Sequence, residues 1–269
     1  MQLNSLSKKL LFNTVRIDTL LENGSEGAGT GFFFNCFLSD NPYPFLVTNR
    51  HVVELAKVGT LSFTAAHEGA PVIGKRLDVS IADFANQWFY HPDPEIDLAI
   101  MPLALLGKSV QALNENIYFH AIDIDLIPSI EQLDAFDALE SVLFVGYPNG
   151  VWDNVNLMPI MRRGTTATSL LLDFEGKREF LIDASVYPGS SGSPVFLYNP
   201  ESHLSPESRK FYFLGVVSAV FFREDDKAAV GGSCAVQGSC NEMIDLGLVI
   251  KADVVRETIR YFATMKLGI

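Results

Sequence analysis

Tyr187-Pro188-Gly189-Ser190-Ser191-Gly192-Ser193-Pro194-Val195 runs from tight-turn residues straight into an apolar strand, and its reading decides the fold. Gly189 and Gly192 bracket two hydroxyls. Glycine has no Cβ, so the backbone can turn sharply there and let neighbouring N–H groups converge on one point. A serine at the apex presents its Oγ beside those amides, as an acyl-transfer nucleophile with an oxyanion hole requires. Pro, Gly and Ser in this mixture also describe an ordinary surface turn ahead of a strand. The rest of the chain has to separate the two readings.

Upstream, Phe45-Leu46-Val47-Thr48-Asn49-Arg50-His51 is an apolar strand ending on a histidine, and Ile96-Asp97-Leu98-Ala99-Ile100 is an aspartate opening an apolar run. Taken singly, such a histidine is a satisfied core or surface residue, and such an aspartate closes a turn. With Ser191 they supply a base, an orienting carboxylate and a nucleophile in the chain order His, Asp, Ser. Rivals stand beside each: Ser190 and Ser193 for the hydroxyl, Asp93 and Glu95 for the carboxylate. Ser191 is preferred because it lies between Gly189 and Gly192, and Asp97 because it alone directly opens a buried apolar strand.

These pieces resemble the trypsin-like (chymotrypsin-fold) serine peptidases, in particular the disulfide-free bacterial type. The resemblance is carried by Gly29-Thr30-Gly31-Phe32-Phe33, Val47-Thr48-Asn49-Arg50-His51 and Asp97-Leu98-Ala99-Ile100 in the first half. It continues through Val145-Gly146-Tyr147-Pro148, Gly189-Ser190-Ser191-Gly192-Ser193-Pro194 and Gly215-Val216-Val217-Ser218. It implies an all-β fold of two antiparallel six-stranded β-barrels with a C-terminal α-helix. By the same resemblance Ser191 is the nucleophile, His51 the general base and then acid, and Asp97 the group orienting the imidazole. The N–H groups of Gly189 and Ser191 would form the oxyanion hole. The floor of the specificity pocket falls on Ser185, with Val186 beside it and Ser218, Ala219 and Val220 as its wall. No acid lies on that floor unless Asp183 turns inward, so small or medium apolar substrate side chains are expected rather than Arg or Lys. Trypsin carries an aspartate just before its nucleophile, which pairs with a newly cut N-terminus. Ser190 stands there in this chain and cannot hold such an ion pair, so competence with an unprocessed Met1 end is expected, with any control coming by another route, such as ordering of a loop around residues 183–190.

Composition fits this reading. A chain of 269 residues with 48% hydrophobic content, 20 Gly and 13 Pro is globular, rich in turns and long enough for two cores. A formal net charge of -12 argues against a nucleic-acid partner, although it would draw in a basic peptide. Neither an export signal nor a bilayer span is visible, so no membrane partner is expected and the expected location is cytoplasmic. Three cysteines, Cys36, Cys234 and Cys240, agree with reduced thiols; Cys234 and Cys240 remain open to pairing or to sharing a metal, although no second pair of ligands is evident. Neither a cofactor nor a metal is called for, and the expected partner is a protein or peptide substrate.

The periodicities divide the chain into residues 1–103 as a first barrel carrying His51 and Asp97, 104–140 as a linker, 141–250 as a second barrel carrying Ser191, and 251–269 as a terminal helix. Thr14–Leu20 alternates as a half-buried strand, Val52–Ala56 is short enough for one helical turn, and Val155–Met161 and Thr165–Leu172 read as strands. Tyr212–Phe222 is apolar at nearly every position, which suits a strand buried on both faces. Val255, Ile259 and Phe262 give the tail an amphipathic helical face. Two other functions remain. A catalytically silent peptide-binding or scaffold protein could share the fold. An α/β-hydrolase esterase would need G-x-S-x-G and another chain order.

Overall fold

The computed structural model describes residues 1–38, 41–198, 211–223 and 242–268. Cys234 and Cys240 lie outside the described residues. The first half contains strands β1 (Thr14–Leu21), β2 (Glu26–Leu38), β3 (Asn41–Thr48), β4 (Ala56–His67), β5 (Ala70–Ala82), β6 (Phe89–Tyr90), β7 (Ala99–Pro102), β8 (Asn116–Tyr118) and β9 (Ile122–Asp123). They form one nine-stranded sheet in the order β5-β4-β1-β2-β3-β7-β6, with β8 paired to β4 and β9 to β2. The second half is a closed barrel, β10-β11-β12-β15-β14-β13. Its strands are β10 (Ser141–Gly146), β11 (Ile160–Thr166), β12 (Glu179–Asp183), β13 (Pro194–Tyr198), β14 (Phe211–Arg223) and β15 (Glu242–Lys251). The helices are α1 (Leu6–Leu10), α2 (Arg50–Val53), α3 (Gly107–Ala112), α4 (Ile130–Asp134) and α5 (Ala252–Phe262). The architecture is thus nearly all-β with a C-terminal helix, and the six-stranded count holds for the second half. In the first half the count differs, partly because β8 and β9, from the 104–140 crossing, join the sheet.

Strand alternation explains how the halves meet. Successive side chains on a strand point to opposite faces. Phe32 and Phe34 of β2 therefore enter a core shared with the second half, whereas Phe33 enters the interior of the first. Phe45 and Val47 of β3 join the shared core, and Leu46 the other. From the second half, Phe213 sits 5.4 and 5.6 Å from the Phe32 and Phe34 ring centroids. All three rings are fully buried, each contributing roughly 1.5 to 3 kcal/mol. On β14, Phe213 and Val216 face this shared core while Leu214 and Val217 face the barrel interior, so both faces are covered.

The C-terminal helix closes the shared core from outside. α5 buries Val254, Val255, Thr258, Ile259 and Phe262, with Phe262 edge-on to Phe45 at 5.4 Å. Arg178 fastens it, pairing with Asp253 at 2.6 Å and closely with Glu257. That guanidinium holds the Glu257 carboxyl below its usual range. In the crossing, Ser129 caps α4 by accepting the Gln132 N–H while the Gln132 side chain returns to the Ser129 N–H. No helix among the described residues is long and apolar enough to cross a membrane.

β4 and β5 are strands of 12 and 13 residues joined through Glu68 and Gly69, both at positive φ. One face of β5 is wet, so much of its sequence is polar. Two expected strands were displaced. Val155–Met161 is largely a turn, closed by Asp153 N donating to Met158 O at 3.0 Å, with the strand starting at Ile160. Nor does a strand continue beyond Thr166 towards Leu172.

Candidate active site

One end of the site is set by where β3 stops. After Thr48 the chain turns at Asn49, whose buried side-chain amide donates to the Asp97 carbonyl at 2.9 Å. The single helical turn α2 follows and carries His51. Its backbone N–H donates to Asp97 Oδ1 at 2.9 Å, and its Nδ1 lies 2.6 Å from Asp97 Oδ2. Ser218 Oγ donates to the same Oδ2 at 3.0 Å. The carboxylate is therefore fixed by a main-chain amide, an imidazole and a hydroxyl. An Nδ1 proton directed at a carboxylate leaves Nε2 as the acceptor, facing away from Asp97. The rival carboxylates are elsewhere: Asp93 and Glu95 line a 300 Å³ cavity with Glu179 and Lys177. Burial pushes the Glu179 carboxyl up; Lys177 opposes this and the negative Asp97 and Glu175 add to it.

The other end is the turn before β13. Ser190 N donates to Tyr187 O at 2.9 Å, with Pro188 and then Gly189 at φ +86 between them, the geometry of a type II turn. Gly192 is also at φ +86, and a Cβ there would lie 1.9 Å from the Thr30 carbonyl oxygen. The three serines separate by exposure. Ser190 is 1% and Ser193 0% exposed, while Ser191 alone is only partly buried. Its Oγ donates to the Ser218 carbonyl at 3.4 Å. Ser218 thus touches Asp97 through its side chain and Ser191 through its main chain. The amides of Ser190, Gly192 and Ser193 are all used within the fold. Those of Gly189 and Ser191 meet no acceptor among the described residues.

Of the residues expected in a specificity pocket, Ser218 is in contact with Asp97, a partner that the pattern Gly215-Val216-Val217-Ser218 does not reveal. Val186 is 3% exposed and belongs to the core of the second barrel, filling the space opposite Gly247. Ser185 is half-buried, Val220 packs half-buried against that same core, and Asp183 is exposed on β12. Sequence reading also missed Thr30 as a side-chain contact. Its Oγ1 donates to Gly189 O at 2.9 Å and accepts the Tyr147 N–H at 3.1 Å.

Comparison with known proteins bears on the family and the fold. The sequence profile of the trypsin-like peptidase domain matches residues 29–201. No curated protein gives a significant sequence match. Among solved structures, the chain is similar to Deg5 with a TM-score of 0.54 at 16% identity, over 96% of this chain and 92% of that one. It is similar to HL collagenase with a TM-score of 0.54 at 13% identity, over 96% of each chain. At such identities the likeness is one of fold.

Proposed function

Because the chain belongs to the family of trypsin-like peptidase domains, we propose that it is a serine endopeptidase working through an acyl-enzyme on Ser191. The observation that carries this reading is the convergence on Ser218: its Oγ meets the Asp97 carboxylate already held by His51, and its carbonyl meets the Ser191 hydroxyl. Ser191 Oγ turns from that carbonyl toward His51 Nε2 and attacks the scissile carbonyl carbon as the imidazole takes its proton. Asp97 stabilises the imidazolium and keeps its orientation. The Gly189 and Ser191 amides receive the oxyanion, each worth about 3 to 4 kcal/mol in such sites. His51 then gives its proton to the leaving amine, and the return path uses water as nucleophile with His51 again as base.

The substrate is a protein or peptide. Ser185 on the floor and Val220 on the wall favour small or medium apolar side chains at the cleaved bond. We assign the protein to the cytoplasm on its three cysteines and the free, buried Cys36 thiol. A silent peptide-binding protein is the rival, favoured by the resting contact of Ser191 Oγ with a carbonyl rather than an imidazole. A fluorophosphonate probe, an activated ester and a positional-scanning peptide library separate the readings. Labelling at Ser191, burst release and cleavage after apolar residues are expected. Absence of labelling and of burst would establish the silent binder, and a strong Arg or Lys preference would overturn the pocket assignment.

A further inference from the structure

A peptide unit is planar, with its carbonyl and N–H pointing to opposite sides. In the Pro188–Gly189 unit the carbonyl accepts the Asn149 N–H at 2.5 Å. The Gly189 N–H is therefore directed the other way. Turning this unit over would place a carbonyl oxygen where the oxyanion has to sit. Whatever holds Asn149 therefore holds the hole.

Asn149 lies at φ 49 and ψ 27, in a turn closed by Gly150 N donating to Tyr147 O at 3.0 Å. Asn tolerates left-handed backbone better than other residues with a side chain but less readily than Gly, and Asn149 is exposed, so the turn gains from outside support. That support comes from the other half of the molecule. Arg16 of β1 donates through Nη1 to the Gly150 carbonyl at 2.7 Å. Its Nε and Nη2 clamp Asp18 at 2.9 and 2.7 Å, which fixes the plane of the guanidinium. The same group lies 5.5 Å from the Trp152 ring centroid, with Arg76 at 5.1 Å from that ring. Tyr147, at the head of the turn, stands edge-on to Trp152 at 5.9 Å.

Resting on the peptidase reading above, we propose that Arg16 is a positioning residue for the oxyanion hole: seated on Trp152, it holds the Tyr147–Gly150 turn, whose Asn149 amide keeps the Gly189 N–H facing the reaction. Thr30 fixes the following peptide through Gly189 O, so both units around Gly189 are held by residues outside the 187–192 turn. The hole is thereby assembled by contact between the halves. Ser190, a buried hydroxyl, takes no ionic part in it.

Arg16→Ala tests this. Removing one oxyanion donor costs about 100- to 1000-fold in kcat, so a donor left unsupported should cost roughly 10- to 100-fold. Affinity for a peptide aldehyde, whose hemiacetal oxygen occupies the hole, should fall by the same factor. KM, and the affinity of an uncleaved peptide for the Ser191→Ala form with and without Arg16→Ala, should change by less than about twofold, because ground-state contacts are untouched. Asn149→Val, which disfavours the left-handed turn, should reproduce this signature, and Asn149→Gly should retain activity. Unchanged kcat in Arg16→Ala, or a fall in KM-level binding together with thermal stability, would overturn the inference while leaving the peptidase reading intact. A wild-type protein that neither cleaves peptides nor takes up fluorophosphonate would overturn both.

Discussion

The two ends of the site are positioned by different means. His51 and Asp97 are held by side-chain chemistry, with an imidazole, a main-chain amide and the Ser218 hydroxyl all directed at one carboxylate. The Ser191 turn is shaped by its backbone: two glycines at φ +86 and a set of main-chain hydrogen bonds, including Thr30 N to Ser191 O at 2.9 Å, with the Thr30 hydroxyl on Gly189 O beside them. The difference teaches where each end is vulnerable. Replacing a side-chain partner disables the first without deforming it, whereas adding a single carbon to the second deforms it.

The largest effect expected is from Gly192→Ala. Its Cβ would meet the Thr30 oxygen at 1.9 Å on left-handed backbone, so hydrolysis should drop below detection. A penalty of about 2 kcal/mol should also lower Tm by roughly 4 to 8 °C in a scanning melt. Asp97→Asn should lower kcat by about 10³- to 10⁴-fold and leave Tm nearly unchanged. A melt as depressed as that of Gly192→Ala would erase the distinction between the two ends. Ser218→Ala removes one of three donors to the carboxylate and should cost about 5- to 10-fold in kcat, in line with roughly 1 kcal/mol for one hydrogen bond. Ser193→Ala should be the mildest. Its Oγ is buried without a hydrogen-bond partner among the described residues, so activity should stay within about threefold of the parent. A loss equal to that of Ser191→Ala would reassign the nucleophile.

Legibility in the sequence followed the range of the interaction. β14 could be read because apolar side chains on both faces leave a local pattern, and α5 because its buried positions recur at helical spacing. His51, Asp97 and Ser191 were suggested by residue type, order and flanking glycines. The β4–β5 hairpin was not legible at its full length, because residues on the wet face of β5 carry no hydrophobic periodicity. Ser218, Thr30, Arg16 and Asn149 gave no warning of their contacts. Each acts on a residue distant in the chain, as Arg16 does on Gly150 at a separation of 134, and no local composition encodes such a meeting. Val186 illustrates the converse: the resemblance set it beside the pocket floor, and the missing side chain at Gly247 opposite gives it room in the barrel interior.

Phe32 and Phe34 on one side and Phe213 on the other make a common dry seam, and each packs against the opposing half. A gene cut within the 104–140 crossing would consequently yield two polypeptides with bare aromatic flanks, prone to clumping when made alone. Made together in one cell, they should find each other through those flanks and recover hydrolysis, so that the molecule would serve as its own two-part reporter of proximity.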